Sequence, residues 1–585
     1  MISQSSRWLG IALLTAAAPN VAAASSEAAE TAAREINALA DRYYAWLLRR
    51  SPEIAYFSGV AIKRHDEIFD NSPAARRHAI LEEDAVFEAI RSIDSALVAG
   101  KTEWITHAYL QQELGAEIDK RVCRNDLWNV NQMGGWHLGY TQIAQLQPIG
   151  TNELRQQALA RWSKLPAFIE QEIANLQNGL QQGYSAPKSV VQRVLDQVDG
   201  LLELPLEESP FYSAASRDGD TDFAAALRGL LADHIYPALT NYRDFLAGTY
   251  LEESRDELSV TANPNGRACY EASLHAYTTL DRSGEEVYKL GEHTVNANRA
   301  HVVKLGLTAY DLEDFSSIMM AAKSDPEDRF ATADELLEFS RNMVRRAADE
   351  MPGWVGNMPA QAVSVVPFPE HEEGTGRSAH YRPGNAERPA EYRIPLYEPG
   401  EQSRGNAEAT AFHEAWPGHH LQVATLQAVE GMHPLTRVIW FSGPGEGWAR
   451  YSESLAEEMG LYATVTGPIL RRAWPARGMV VDPGIHLFGW SRQQAAEYMN
   501  EAGRFAPSQA DEMVDRIAIL PGQLTAYDSG GLEIFALRRQ AEEALGEKFD
   551  IREFHDQVLE NGTIPLTQLR QHVEAWINWR KMQPR

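Results

Sequence analysis

Residues 409–422 read ATAFHEAWPGHHLQ, and this short stretch decides how the rest of the chain is interpreted. Three histidines and a glutamate, His413, Glu414, His419 and His420, fall within eight residues of an otherwise apolar, alanine-rich run. A helix of this composition should bury hydrophobic groups, so the imidazoles indicate a metal site. In an HExxH helix, histidines at i and i+4 bind one Zn²⁺, and the glutamate at i+1 faces the metal-bound water.

Proline replaces the second histidine of that pattern, because Pro417 stands at i+4 from His413. Proline cannot donate a backbone hydrogen bond to the carbonyl of His413, and its ring crowds that carbonyl, so a kink or bulge is expected. A bulge that absorbs two residues would bring His419, at i+6, to the position of an i+4 ligand. In an unbulged helix His420, at i+7, lies about 20° off the face of His413 and roughly 10 Å along the axis. The residues alone leave His419 and His420 as alternatives.

The string His-Glu-x-x-Pro-Gly-His-His-Leu-Gln resembles the signature of the bacterial family called domain of unknown function 885. That family is similar to the gluzincins, zinc metallopeptidases with two histidines and a downstream glutamate as ligands. In several helical gluzincins the second histidine follows a glycine, as His419 follows Gly418, so the resemblance implies His413 and His419 as ligands. A histidine-rich helix corner with structural histidines is the alternative interpretation.

A second segment, GPGEGWARYSE at 443–453, resembles the Glu-Gly-Trp-Ala motif of the same family. A Pro-Gly turn that opens into a helix puts Glu446 in the first turn, and the small Gly447 would let this helix approach another closely. The resemblance implies that Glu446 is the third ligand. Glu453 and Glu457 share its helical face, so either is an alternative ligand or a residue that orients a histidine. A glutamate that only stabilises the helix dipole is the structural alternative.

Three later segments extend the resemblance over about residues 360–580. They are VDPGIH at 481–486, PGQLTAY at 521–527 and the segment 554–566. In related helical peptidases a tyrosine late in the chain hydrogen-bonds the oxyanion. The resemblance implies this role for Tyr527, with His486 as a second donor. Pro483 departs from the small polar residue expected in the first of these segments.

The N-terminus predicts export. Arg7 is the only charge in Met1–Ala24, the apolar run Trp8–Ala18 is too short to span a bilayer, and Ala22–Ala24 forms an A-x-A cleavage site. No cysteine follows the apolar run, which argues against a lipoprotein anchor. We therefore expect a signal peptide over 1–24 and a mature bacterial protein over 25–585 that is periplasmic or secreted.

Composition narrows the function further. The sequence is 44% hydrophobic with a formal charge of −27, which becomes −28 when Arg7 is removed with the signal. Such a charge opposes binding to a phosphate backbone, so nucleic acid is excluded as a partner. The only cysteines, Cys123 and Cys269, exclude a thiolate zinc site and leave open one disulfide or two buried thiols.

The pattern of hydrophobic residues predicts a mainly α fold. Stripes at three- and four-residue spacing, as in 36–47 and 190–202, predict long amphipathic helices. The runs 363–368 and 391–394, on either side of a Gly/Pro/Arg-rich loop, predict short strands just upstream of the metal helix. By analogy with other metallopeptidases an edge strand here would pair with substrate, and an ordinary hairpin is the alternative.

Taken together, these features predict one large gluzincin-like helical domain over 25–585, with a deep cleft and a small β element beside the metal helix. Its N-terminal half, 25–350, is expected to be helical, and its second half, 351–585, to carry the metal site.

The predicted function is that of a zinc-dependent peptidase whose substrate is a peptide. Glu414 would act as general base on a metal-activated water, and Tyr527 would stabilise the tetrahedral intermediate. A metal-dependent hydrolase of non-peptide amides or esters would use the same residues. A catalytically inactive peptide- or metal-binding protein is the third hypothesis, although it leaves Glu414 unexplained. The sequence also offers three arginines for a substrate carboxylate, Arg393, Arg538 and Arg539.

Overall fold

Helices dominate the chain in a computed structural model, which describes residues 18–369, 373, 377–385, 388–503 and 507–584. The predicted signal peptide falls mostly on residues 1–17, which lie outside the described residues. The first part of the chain forms α1 Ala18–Arg50, α2 Glu53–Ser58, α3 Pro73–Arg91, α4 Thr102–Lys120, α5 Trp136–Leu146, α6 Asn152–Trp162, α7 Leu165–Gln181, α8 Lys188–Glu203, α9 Ser213–Asp218, α10 Thr221–Leu230, α11 Tyr236–Phe245, α12 Leu251–Glu253, α13 Gly266–Thr278, α14 Gly284–Tyr310, α15 Phe315–Ser324 and α16 Ala333–Glu350. The mainly α fold is therefore confirmed, and the stripe at 190–202 is the buried face of α8.

The second part of the chain opens with three short strands and continues as helices. The strands are β1 Val363–Pro367, β2 His380–Arg382 and β3 Ala390–Ile394. The helices are α17 Arg404–Glu414, α18 His419–Ala428, α19 Ser442–Glu458, α20 Thr466–Ala473, α21 Gly478–Leu487, α22 Arg492–Asn500, α23 Pro507–Ile519, α24 Ala526–Leu545, α25 Ile551–Leu559 and α26 Leu566–Met582. In the part of the chain that the structure describes, no helix is both long and apolar enough to cross a bilayer.

The small β element is present, but its topology differs from a hairpin. The two predicted strands, β1 and β3, pair in parallel, and β2 adds to the other side of β3 in antiparallel orientation. β3 is thus the central strand and cannot offer a free edge to a substrate. Both β2 and β3 border the cleft, but of these two only β2 has a free edge. The sequence pattern did not predict β2 because its three residues lie inside the loop rich in glycine, proline and arginine.

The largest apolar core joins the two parts of the sequence. It contains Ile36 from α1 and Tyr109 from α4, together with Phe412, Trp448 and Leu537 from α17, α19 and α24. The hydroxyl of Tyr109 also shares a hydrogen bond of 2.7 Å with Thr563. Helices of the first part therefore support the helices that carry the predicted site residues.

Helices α19 and α24 approach each other at glycines. A Cβ atom on Gly447 would lie 2.5 Å from the Cα atom of Gly530, closer than any real contact. The expectation that Gly447 allows a close helix approach is confirmed. The contact places the helix of Glu446 against the helix that begins beside Tyr527.

The two cysteines form a disulfide bond. Cys123 follows α4 and Cys269 lies in α13, with 4.6 Å between their Cα atoms. Of the two possibilities that the sequence left open, the structure contains the disulfide.

Candidate metal centre

The two histidines are positioned by a break between helices. Helix α17 ends at Glu414 and α18 begins at His419, with residues 415–418 outside both helices and a cis peptide bond before Pro417. Ala415 leaves the helical region with φ −104° and ψ −110°. The expected disruption of the helix near Pro417 is thus present, but as a complete break and not as a bulge that absorbs two residues. Proline and the residues around it end the first helix instead of being absorbed by it, because Pro417 cannot continue the backbone hydrogen bonds.

Packing holds this break in place from two sides. A Cβ atom on Gly418 would lie 1.8 Å from the carbonyl oxygen of His413, so only glycine allows the chain to pass this close. The carbonyl of Pro417 accepts hydrogen bonds from Trp448 Nε1 at 2.9 Å and Ser452 Oγ at 3.2 Å. Both donors belong to α19, so the break is tied to the helix that carries Glu446.

His413, His419 and Glu446 meet in one cluster. The Nε2 atoms of His413 and His419 each lie 3.4 Å from Oε2 of Glu446, and one ligand atom from each residue falls within 4.8 Å of the other two. Ligands that surround Zn²⁺ tetrahedrally at about 2.0–2.2 Å are separated by roughly 3.3–3.6 Å. The spacing of these three residues therefore fits a single ion with two histidines and one carboxylate as ligands.

Glu453 orients His413 and lies outside the cluster of three. Its Oε1 atom is 2.9 Å from Nδ1 of His413. Because a carboxylate oxygen only accepts, the proton stays on Nδ1, and Nε2 is the nitrogen that would bind a cation in exchange for its own proton. Glu453 is held in turn by two hydrogen bonds of 2.8 Å from Arg450, whose Nε lies 3.0 Å from Asp528. Of the two roles that the sequence allowed for Glu453, the geometry supports the orienting one.

The electrostatics of the cluster favour a positive charge. Burial alone would lower the pKa of His413, but its hydrogen bonds with Glu446 and Glu453 outweigh burial and raise the pKa to about 10. The pKa of Glu446 shifts the other way: burial raises it, and the two histidines more than reverse this and hold it far below its usual range. The raised pKa of His413 reflects the carboxylates around it, a negative surrounding that a metal ion at this position would also neutralise, whereas the lowered pKa of Glu446 reflects the two imidazoles.

The alternative ligand His420 is turned away from the cluster. Its Nε2 donates to the carbonyl of Gln361 at 2.9 Å, and Nδ1 accepts from the hydroxyl of Tyr381 at 3.2 Å. Burial lowers the pKa of His420 to about 4, so the ring is neutral. Both nitrogens are therefore already used, and His420 is not retained as a ligand.

Glu414 extends from the end of α17 to the edge of the sheet. Its Oε2 atom accepts a 2.8 Å hydrogen bond from the backbone N–H of Tyr381 in β2. The carboxylate lines the same cavity as His413, His419 and Glu446. Sequence reasoning missed Tyr381, and no sequence signal distinguished it from other residues of the loop.

Tyr527 stands on the other side of His413. The two rings are nearly parallel, with centroids 6.3 Å apart. Burial first, and then the negative charge of Glu446, raise the pKa of the Tyr527 hydroxyl, so it stays protonated and can donate a hydrogen bond. Nη2 of Arg516 lies 3.4 Å from this hydroxyl. Arg516 was not predicted either.

The structure separates His486 from this group. Its Nδ1 accepts from the backbone N–H of Val260 at 3.1 Å, and its Nε2 donates to the carbonyl of Ile517 at 3.0 Å. The ring is buried and does not line the cleft. The prediction that His486 aids Tyr527 as a donor is therefore corrected, because both nitrogens already bond the backbone.

The three arginines proposed for a substrate carboxylate also lie elsewhere. Arg393 pairs with Glu391, and Arg538 pairs with Glu458 and Glu542. Arg393, Arg538 and Arg539 are all absent from the residues that line the cleft. These candidates are withdrawn.

All the residues brought together face one large cleft. Its volume is about 1340 Å³, and it is bounded by α17, α19, β2 and residues around Tyr527. Trp440 stands at its wall with 47% of its surface exposed, 6.0 Å from the ring of His419. The predicted deep cleft is thus present beside the cluster.

A mainly α protein with a cleft and a His-His-Glu cluster is the class that this fold and site define. The chain belongs to the family described as "Bacterial protein of unknown function (DUF885)", whose sequence profile matches residues 52–573. No curated protein matches the sequence significantly.

Two solved structures are similar over nearly the whole chain. One is a "putative lipoprotein" from Colwellia psychrerythraea, with a TM-score of 0.84, 23% identity, and coverage of 94% of this chain and 99% of that one. The other is a "putative lipoprotein of unknown function" from Shewanella oneidensis, with a TM-score of 0.76, 17% identity, and coverage of 91% and 98%. At these identities the similarity establishes the fold alone.

Proposed function

We propose that the protein is an exported zinc-dependent peptidase. The observation that carries the proposal is the meeting of His413, His419 and Glu446 within 4.8 Å of one another at the wall of a large cleft. Two imidazoles and one carboxylate form the ligand set of catalytic zinc sites that keep a position for water. Zinc bound there would polarise a carbonyl group and lower the pKa of its bound water toward about 7.

Glu414 is the proposed general base. One of its oxygens is fixed by the N–H of Tyr381, which sets the direction of the carboxylate. The other oxygen, Oε1, would take the proton of the attacking water and pass it to the leaving amine. Glu414 is next to His413 in sequence but is not one of the three clustered ligands, so it can move a proton without giving up a metal bond.

Tyr527 is the proposed donor to the oxyanion. Its hydroxyl stays protonated at neutral pH, and its ring is held against the ring of His413. A hydrogen bond from this hydroxyl would stabilise the negative charge of a tetrahedral intermediate. Removal of one such donor usually costs about 10²–10³-fold in turnover.

A peptide is the proposed substrate because the cleft contains the edge of a sheet. β2 contributes His380 and Tyr381 to the wall, directly beside Glu414. An extended peptide could add to this edge through backbone hydrogen bonds to groups other than the N–H of Tyr381, which already donates to Glu414. The edge role predicted for β1 or β3 is thus proposed for β2 instead.

Export is proposed from three features. The first residues have the pattern of a secretory signal. The Cys123–Cys269 disulfide is typical of oxidising compartments. Both similar solved structures are named as lipoproteins, a class of exported bacterial proteins.

The test is hydrolysis of a peptide panel, followed by mass spectrometry, with zinc-loaded, chelated and zinc-restored protein. We expect about one zinc per chain and cleavage that disappears on chelation and returns with zinc. Cleavage of model esters or non-peptide amides without cleavage of any peptide would favour the second hydrolase hypothesis. Zinc binding without hydrolysis of either class would favour a binding protein.

A further inference from the structure

Cationic side chains in the cleft differ in how their charges are compensated. Among the described residues, those that line the cleft are Lys323, Arg329, Arg377, Arg450, Arg471 and Arg516. Arg450 is bound by Glu453 and Asp528, and Arg471 is bound by Glu457. These two arginines are therefore neutralised within the protein and serve its structure.

Among the residues that the structure describes, Arg516 has no such partner. Its Nη2 donates to Gln523 Oε1 at 2.6 Å and to the hydroxyl of Tyr527 at 3.4 Å, and both acceptors are neutral. Its Nε atom is buried without a hydrogen-bond partner. No carboxylate oxygen of the residues that the structure describes forms an ion pair with it, whereas the other arginines that are held deep beside the cluster have one.

A guanidinium group carries a positive charge that other groups have to compensate. A partly buried cation without a counter-ion is costly, and an unsatisfied buried N–H adds to that cost. Among the described residues Arg516 thus has no carboxylate in ion-pair contact, which favours an anionic ligand at this position in the cleft. A carboxylate suits it best, because two carboxylate oxygens match the planar fork of a guanidinium.

The position of this site relates it to the proposed chemistry. Arg516 contacts the hydroxyl of Tyr527, and the ring of Tyr527 lies against His413 of the metal cluster. Tyr527 would therefore lie between a carboxylate on Arg516 and the metal cluster. In an extended peptide each residue spans about 3.3–3.6 Å. A peptide whose terminal carboxylate is bound by Arg516 would therefore present one of its last two peptide bonds to the metal cluster.

We propose that Arg516 binds the α-carboxylate at the C-terminus of the substrate, so that the enzyme removes residues from that end of a peptide. This inference rests on the proposed peptidase function and adds the substrate class. Tyr527 then contacts both the carboxylate-binding arginine and the proposed oxyanion. An acidic side chain near the end of a peptide would offer the same carboxylate chemistry, and the experiment separates the two sources.

The test compares three peptides: one sequence as the free acid, the same sequence as the C-terminal amide, and an amide in which the last residue of that sequence is replaced by glutamate. For the wild type we expect kcat/KM to be about 10- to 100-fold higher for the free acid than for either amide, the range for loss of a charged hydrogen bond. In Arg516→Gln the ratio of acid to amide should fall close to one. Because both peptides are compared on the same variant, the ratio is unaffected by any loss of kcat/KM that the substitution causes through Tyr527.

Two further variants serve as controls. Arg471→Gln removes a cleft arginine that is already paired with Glu457, so it should keep the wild-type ratio. Arg516→Lys keeps the positive charge but not the planar guanidinium, and it should retain part of the preference for the free acid. This variant keeps the inference testable if Arg516→Gln fails to fold.

The outcomes separate this inference from the function on which it rests. Equal cleavage of the free acid and its amide would overturn the role of Arg516 and leave the peptidase proposal standing. A preference for the amide that ends in glutamate would move the site to an acidic side chain and overturn the C-terminal assignment. If no peptide is cleaved, the peptidase proposal fails. The role of Arg516 is then tested by calorimetry, which measures the affinity of the protein for the same peptides. Equal affinity for the free acid and the amide would overturn the inference as well.

Discussion

Two buried histidine sites in this chain carry opposite properties. In the metal cluster, Nε2 of His413 faces Glu446, and its neighbouring carboxylates raise the pKa to about 10. In α21, both nitrogens of His486 bond the backbone, and burial lowers the pKa to about 3. Both residues stand in segments that resemble family motifs. The difference teaches that a motif histidine can do chemistry only where the fold leaves a ring nitrogen directed at charge and cavity.

The second site nevertheless contributes to the cleft indirectly. Asp482, in the same segment as His486, accepts hydrogen bonds from Tyr270 and from the backbone N–H of Gly522. Gly522 opens the turn that leads through Gln523 to Tyr527, and Gln523 also bonds Arg516. The VDPGIH segment therefore positions the turn that carries the proposed oxyanion donor, whereas residues 413–419 carry two of the three proposed metal ligands themselves.

The largest expected effect comes from the ligands. His413→Ala, His419→Ala and Glu446→Ala should each lose bound zinc and nearly all hydrolysis, because two remaining ligands cannot hold the ion against water and buffer. Zinc content by mass spectrometry of the purified variants is the measurement. His420→Ala is the matched control and should keep zinc, since its ring is bonded to Gln361. Retained zinc in His419→Ala together with loss in His420→Ala would contradict the assigned cluster.

Glu414→Gln should abolish most hydrolysis, by about 10²–10⁴-fold, while zinc content and thermal stability stay close to wild type. Glutamine keeps the volume and can still accept the hydrogen bond from Tyr381, but it cannot take a proton. Peptide turnover and zinc content are measured on the same preparation. A variant that stays active removes the general-base role, and one that also loses zinc assigns Glu414 to the structure of the site.

Tyr527→Phe should lower kcat by about 10- to 10³-fold with little change in zinc content, because it removes one donor to the oxyanion. The ring that packs on His413 is kept in this variant. Steady-state kinetics on one peptide give kcat and KM separately. Unchanged turnover would assign Tyr527 to packing. Its motif would then be structural only, as the motif of His486 is.

Glu453→Gln should weaken zinc affinity by about 10- to 100-fold, the usual cost of losing a residue that orients a ligand histidine. The amide retains the shape but not the charge that holds Nδ1 of His413 protonated. Competition with a chelator of known affinity measures the change. Complete loss of zinc would instead indicate that Glu453 is itself a ligand.

The sequence was sufficient for residues whose role follows from local spacing. The helical stripes, the helix-breaking Pro417 and the glycine at 447 each act within a few residues, and the structure bears out their consequences for the fold. The sequence was insufficient for residues whose hydrogen-bond partners come from distant segments of the chain. Nothing near His486 predicts that Val260 and Ile517 occupy its nitrogens, and nothing near Arg516 predicts that it meets Tyr527 without a carboxylate partner.

The smallest effect on the site is expected for His486→Asn, which should leave zinc content and kcat unchanged. It should still reduce the free energy of unfolding by about 1–3 kcal/mol at neutral pH, because at least one of the backbone groups of Val260 and Ile517 loses its partner. Urea unfolding of the wild type and the variant measures this difference. Loss of zinc or turnover without loss of stability would place His486 with the catalytic residues after all.

The pH dependence of that difference is a further check on the same variant. His486 has a folded pKa of about 3 against 6.5 for the ordinary side chain. Above pH 6.5 the residue is neutral in both states and its contribution to stability is complete. As the pH falls from 6.5 toward 3, only the unfolded state takes up the proton, so stability is lost by up to about 1.4 kcal/mol per pH unit. His486→Asn removes this proton uptake, so its stability should fall less steeply than that of the wild type between pH 6.5 and pH 4. Parallel slopes would show that His486 does titrate in the folded protein, and the contrast with His413 would then be lost.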